Sequence, residues 1–262
     1  MILSVRNIVQ EYKTDKGLVR IVDDVTLEYD KPGINFLMGP SGCGKTTLMR
    51  LMGGVRPTNV VTPTRGTIHI DGKLCYGPHP DVVTIFQKST NFPFKTVRQN
   101  VNYSFELGEW ANRIDYDEQQ KRLDWILEKV GLTDRQDNRP AQLSGGQNQR
   151  VALASAFVMK PRILLMDEPF VGLDPNTLKG MQKLLVELQE EVGCLVIFVG
   201  HDVEEALFIS DRITVLTSKP AVIAKDFVIT TPKALRTDDW MDTNPLPLQI
   251  EKEILHIMRQ TK

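Results

Sequence analysis

The chain has 262 residues, 41% of them hydrophobic and 25% charged, a balance that excludes disorder and collagen-like repeats. Lys and Arg number 32 against 33 Asp and Glu, so the net charge is −1, which argues against a dedicated nucleic-acid coat. Three widely spaced cysteines, Cys43, Cys75 and Cys194, form no CxxC pair and read as reduced cytosolic thiols, not a disulfide framework or a zinc site.

In chain order, MILSVRNIVQEYK lacks the basic and long apolar regions of a secretory signal. Val5–Tyr12 and Val22–Tyr29 alternate as strands, with Val25 and Leu27 on one face of the second. Ile34–Met38 is a short apolar run fit for a buried parallel strand. Gly39–Gly44 interrupts it, and Lys45–Met52 continues as a helix that Gly53-Gly54 closes. Residues 55–66 hold two prolines and read as an exposed loop. Thr67–Ile70 is expected as a strand entering an Asp71-Gly72 turn, and Val82–Phe86 as another buried strand. Between Ser89 and Lys160 charged amphipathic helices dominate, notably Tyr116–Val130. Ile163–Met166 and Leu195–Val199 restore strand character, with a helix over Leu178–Glu191 between them. That alternation implies a parallel α/β sheet. No apolar run approaches the roughly 20 residues that span a bilayer, so any membrane role must come through a partner. The stretch from Ser218 ends in a short amphipathic helix over Leu248–Met258.

The strongest motif is Gly39-Pro40-Ser41-Gly42-Cys43-Gly44-Lys45-Thr46-Thr47, which fits G-x4-G-K-[ST] between a buried strand and a helix. Its backbone N–H groups and helix start suit phosphate, Lys45 supplies charge for the β/γ-phosphates, and the Thr46 hydroxyl suits Mg²⁺. A second constellation, Ile163-Leu-Leu-Met-Asp167-Glu168, ends a buried strand in two carboxylates. Alone this is an ordinary solvated strand end. Paired with the phosphate loop, Asp167 becomes a Mg²⁺ ligand and Glu168 a base that polarises water. Third, Leu143-Ser144-Gly145-Gly146-Gln147 opens a helix. It reads either as a simple cap at Ser144 or as a second cluster of N–H donors for phosphate, one that serves a neighbour's nucleotide.

With these motifs in this order, the chain resembles the ATP-binding cassette ATPases over nearly its whole length. LSGGQ is that family's signature. The resemblance implies a P-loop NTPase (RecA-like) parallel core with an N-terminal antiparallel β subdomain and an inserted helical subdomain. On this basis residues 1–88 and 161–217 form the nucleotide-binding core, 89–160 the helical signature part and 218–262 a C-terminal extension. Tyr12 matches the aromatic that stacks on adenine. Gln87 matches the Gln that contacts Mg²⁺ and water and links to a transmembrane partner. Asp174 matches the loop that crosses the dimer interface, and His201 the histidine on the γ-phosphate. ATP and Mg²⁺ are the implied cofactors. Two cassettes are expected to stack head to tail, each phosphate loop facing the other's signature.

Three stretches resemble the import branch that handles nitrate, sulfonates and taurine: the segment from Phe86 to Val101, the one from His201 to Arg212, and Ser218–Ile223. The implied function is the ATPase subunit of an importer of a small anionic solute. It would sit on the cytoplasmic face of the inner membrane with permease subunits and a solute-binding protein, and without nucleic acid. The alternative is a soluble cassette ATPase acting in DNA repair or translation. Several positions depart from the branch pattern. Phe94 stands where Trp is common, Ser155 where Arg is, Gly200 where Thr usually precedes the histidine, and Val171-Gly172 where Gly-Ala is usual. Residues 55–66 are also longer than usual.

Overall fold

The chain opens with a long antiparallel hairpin. Strand β1 (Leu3–Thr14) pairs with β2 (Gly17–Tyr29) from Leu3 opposite Tyr29 to Thr14 opposite Gly17. Both strands outrun the apolar alternation that predicts them, because ladder hydrogen bonds continue through the polar residues near the tip. After the phosphate-loop region, β4 (Arg65–Ile70) pairs antiparallel with β1, and β5 (Lys73–Leu74) folds back on β4. The Asp71-Gly72 turn between them has positive φ at both residues, 50° and 74°, the geometry that two-residue hairpins favour. The sheet order is β2-β1-β4-β5. Val5, Ile8, Val25, Leu27 and Ile68 form its buried side.

The computed structural model describes residues 1–15, 17–55, 62–87, 91–107 and 114–260. Two units result, one of Met1–His79 with Leu195–Lys262, the other of Pro80–Cys194. In the first, strand β3 (Gly33–Met38) lies between two parallel neighbours, β8 (Leu195–Gly200) and β9 (Arg212–Leu216). Every residue of β8 is buried, as expected for a parallel strand covered on both faces. Phe36 and Phe198 stack with ring centroids 4.9 Å apart. Helix α1 (Lys45–Gly53) follows β3 and ends on Gly54, which is left-handed at φ 60°. Helix α6 (Val203–Ile209) follows β8. The C-terminal extension holds more structure than its sequence suggests. Strand β10 (Ile223–Val228) adds antiparallel to β9, and helices α7 (Asp238–Thr243) and α8 (Pro245–Gln260) follow, with α8 against α6.

The second unit pairs β6 (Val82–Ile85) with β7 (Ile163–Asp167) in parallel. The buried strand expected over Val82–Phe86 is shorter and more open. Only Ile85 is buried, and Phe86 is exposed, because one side of β6 lines a groove. The helices are α2 (Val97–Asn102), α3 (Tyr116–Lys129), α4 (Gly145–Phe157) and α5 (Pro175–Val192). Asp115 caps α3 by accepting the Glu118 N–H at 2.9 Å, acidic Asp117 and Glu118 follow, and Lys129 sits in the last turn. These placements all favour the helix. Helix α5 starts earlier than the apolar spacing suggests because Asp174 caps it ahead of Pro175. Residues 56–61, within the expected loop, lie outside the described residues.

Candidate functional site

The loop 39–44 carries the chain from β3 into α1. Its turn needs positive φ at Gly42 (74°) and Gly44 (127°), and a Cβ on Gly44 would come within 3.0 Å of the Ile21 side chain. Lys45 is 6% exposed, and its ammonium donates to the Gly39 carbonyl at 2.8 Å and the Pro40 carbonyl at 3.1 Å. The lysine thus ties the start of α1 back across the loop. Thr46 and Thr47 are half-buried on the first turn, Ser41 is exposed, and Cys43 is buried under the loop.

Strand register sets what lies beside this loop. Met38 pairs with Gly200, so the phosphate loop and His201 leave neighbouring parallel strands at the same end. Ligand sites of open α/β sheets form at that end. His201 is exposed, and Asp202 behind it caps α6 by accepting the Glu205 N–H at 2.8 Å. The structure accounts for Gly200. A Cβ there would lie 2.4 Å from the Phe36 ring, so the ring takes the space that a threonine would need. Tyr12 is half-buried near the hairpin tip, opposite Val19.

The second unit repeats the arrangement. Ile85 pairs with Met166, which brings Gln87 and the Asp167-Glu168 pair to one end of two adjacent strands. Asp167 is buried and Gln87 exposed. Glu168 has φ 46°, a left-handed backbone that is costly for a residue with a Cβ. Such outliers cluster at functional sites. Directly behind it, the buried Gln149 side chain of α4 donates a hydrogen bond to the Pro169 carbonyl.

Ser144 caps α4 in a reciprocal box with Gln147: Ser144 Oγ accepts the Gln147 N–H at 3.2 Å, and Gln147 Oε1 accepts the Ser144 N–H at 2.9 Å. Gly145 faces open space, and no acidic residue stands in the first turn. This end of α4 is therefore an open, electropositive helix start. Gly146 abuts Thr177 of α5. Asp174 accepts the Thr177 N–H at 3.1 Å, and its exposed carboxyl is held below the usual range by the Thr177 hydroxyl and then the backbone N–H. The signature, the Pro169 turn and Asp174 thus gather in one place.

Two buried amides that pin the segments beside these residues escape the sequence reading. One is Gln149, marked only by a polar side chain on the inward face of α4. The other is Asn100, a buried amide between Val97 and Val101. Asn100 Oδ1 accepts the Phe92 N–H at 2.7 Å, and its amide donates to the carbonyls of Phe92, Lys95 and Thr96 at 3.2, 3.2 and 2.9 Å. It ties together residues 92–96; residues 88–90, between them and Gln87, are outside the described set. Asn91 extends the link by donating to the Asn148 carbonyl of α4 at 2.8 Å. Asn100→Leu should cost about 2–3 kcal/mol through unsatisfied loop groups. At this chain length that is a fall of about 5–10 °C in melting temperature, checked by thermal unfolding. An unchanged melting curve would contradict the anchoring role.

The ABC transporter family model matches residues 22–171. A nitrate import ATP-binding protein (NrtD) from Synechocystis sp. is 34% identical over 88% of this chain and 84% of its own length. The chain belongs to the ABC transporter family. A taurine import ATP-binding protein (TauB) from Jannaschia sp. is 37% identical, covering 97% of this chain and 92% of its own. An ATP-binding cassette solved as a dimer in a post-hydrolysis state with ADP and Pi is 28% identical, with a TM-score of 0.71 over 87% of this chain and 98% of that one. The fold is therefore the P-loop NTPase fold of ABC cassettes, with its antiparallel sheet and signature helix. The chain binds ATP and is an ATPase whose hydrolysis is coupled to transport. Among the described residues, no helix of this ABC protein is long and apolar enough to cross a membrane.

Proposed function

We propose that this chain is the ATP-hydrolysing subunit of an ABC importer, working as a head-to-tail pair on a separate permease. The observation that carries the pairing is the open start of α4. The capping box uses the N–H groups of Ser144 and Gln147 and leaves those of Gly145 and Gly146 as donors, with no lysine in the motif for phosphate, so this end fits the nucleotide held by a second copy. Asp174 beside it would meet the same partner.

In each composite site Tyr12 stacks on adenine, the backbone of Gly39–Gly44 cradles the phosphates and Lys45 pairs with the β/γ oxygens. The Glu168 carboxylate orients the attacking water and takes its proton, while His201 holds the γ-phosphate. Thr46, Gln87 and Asp167 offer a hydroxyl, an amide carbonyl and a carboxylate, hard oxygen donors that fit Mg²⁺. Bound there, Mg²⁺ would neutralise charge on the β/γ-phosphates. Binding of two ATP molecules closes the pair and hydrolysis reopens it, because only the closed pair completes each site.

A groove of about 270 Å³ supports the permease partner. Phe86, Phe92, Tyr103 and Leu107 line it, together with Ser155 of α4. Phe94 stands exposed beside it. An apolar recess pinned by Asn100, next to the segment of Gln87, suits a short helix of another protein. The names of the relatives favour a small anion or a sulfonate-bearing solute, such as nitrate or taurine. A solute-binding protein would deliver it, and the cassette would sit on the cytoplasmic face of the inner membrane.

The test is a pull-down from detergent-solubilised membranes with tagged Glu168→Gln chain and ATP–Mg²⁺. A small polytopic membrane protein should be recovered. Recovery of the chain alone, or of nucleic acid or ribosomes, would overturn the importer reading in favour of a cassette that works without a membrane partner.

A further inference from the structure

Among the largest fully buried side chains is a charged one, Arg236, in the C-terminal extension. Only 2% of it is exposed, and among the described residues its hydrogen bonds go to backbone carbonyls. Nε and Nη2 donate to Thr231 at 3.0 and 2.7 Å, and Nη1 donates to Leu207 at 3.0 Å and Ser210 at 2.6 Å. Burial pulls the guanidinium below its ordinary pKa, with Asp211 opposing the shift. A buried cation destabilises the fold unless its surroundings compensate it.

The compensation comes from α6. Leu207 and Ser210 are its last turn and cap, where helix carbonyls lack partners and the dipole favours a cation. Ser210 Oγ donates to Ala206 O in the same turn. Helix α6 has only seven residues, too few to stand by propensity. Its front is fixed by the Asp202 cap, immediately after His201, and its rear by Arg236. The extension is itself anchored, with Trp240, Ile250 and Ile254 buried.

We propose that Arg236 is a positioning residue for ATP hydrolysis: it clamps the rear of α6 to the C-terminal extension and so orients His201 at the front. The proposal rests on the reading of His201 as the γ-phosphate contact. It also gives the extension a task within its own subunit.

The experiment is a double-mutant cycle on the full-length chain, reading kcat, KM for ATP and nucleotide affinity. Arg236→Lys keeps the charge but gathers its donors on one nitrogen, which cannot bridge Thr231 to both α6 carbonyls. Its kcat should fall about 10-fold or more, since misplacing a catalytic group by about 1 Å costs up to about 100-fold. KM and affinity should stay within about twofold, because the phosphate loop is untouched. In a His201→Ala background the same change should leave the residual turnover within about twofold. Native kcat in Arg236→Lys, or an equal fold-loss in both backgrounds, would overturn the proposal. Native turnover in His201→Ala alone would instead remove the reading of His201 and the proposal with it. If Arg236→Lys does not fold, Thr237→Ala decides in the same cycle. It removes the hydroxyl that accepts the Trp240 N–H at 3.2 Å beside Arg236, with a smaller, roughly threefold loss expected.

Discussion

Glu168→Gln should bind ATP as tightly as the native chain and hydrolyse it about 10²- to 10⁴-fold more slowly, the usual worth of a positioned base. The amide keeps the length and shape of the carboxylate but cannot take a proton from water. With binding intact and hydrolysis blocked, the ATP-bound pair should accumulate, visible as a dimer in size-exclusion chromatography with ATP–Mg²⁺. Normal turnover in this variant would remove Glu168 from the role of base. The backbone adds a second expectation. At φ 46° a side chain beyond Cα is strained, so Glu168→Gly should be more stable than Glu168→Ala by about 1 kcal/mol although both lose the carboxylate. Thermal unfolding of the two would show a difference of about 2–4 °C. Equal melting temperatures would mean that the strand end relaxes when the side chain is gone.

Lys45→Met should fail one step earlier. The native ammonium holds the Gly39 and Pro40 carbonyls at 2.8 and 3.1 Å, and methionine of similar length leaves both without that donor. ATP loses its charged partner as well, and hydrogen bonds to charged groups are worth about 1.5–3 kcal/mol each. Affinity should drop by about 100-fold or more, measured by calorimetric titration with ATP. The fold should lose about 1–2 kcal/mol from the unpaired carbonyls. The two variants separate cleanly: Glu168→Gln binds without turning over, whereas Lys45→Met scarcely binds. An ATP affinity near native for Lys45→Met would place the phosphates elsewhere.

The parts of this protein written in local chemistry are legible without coordinates. The phosphate loop declares itself because glycines at 39 and 44, a lysine and a threonine stand at the fixed spacing that a turn holding phosphate needs. The cap at Ser144 and the helix over Tyr116–Lys129 are equally local. What the sequence hides is set by distant partners. Val82–Ile85 looks buried by composition, yet its exposure depends on which side of the strand a groove occupies. The strand at Ile223–Val228 is too polar to announce itself and exists through its ladder with β9. Arg236 leaves no pattern at all, because its acceptors are main-chain carbonyls, which every residue type offers.

Phe36 and position 200 occupy one allotment of space, with 2.4 Å between the ring and any Cβ placed there. A side chain at position 200 therefore requires the Phe36 ring to move or to be replaced by a smaller group. Residues 36 and 200 lie far apart along the chain, yet the cost of a substitution at one depends on what stands at the other.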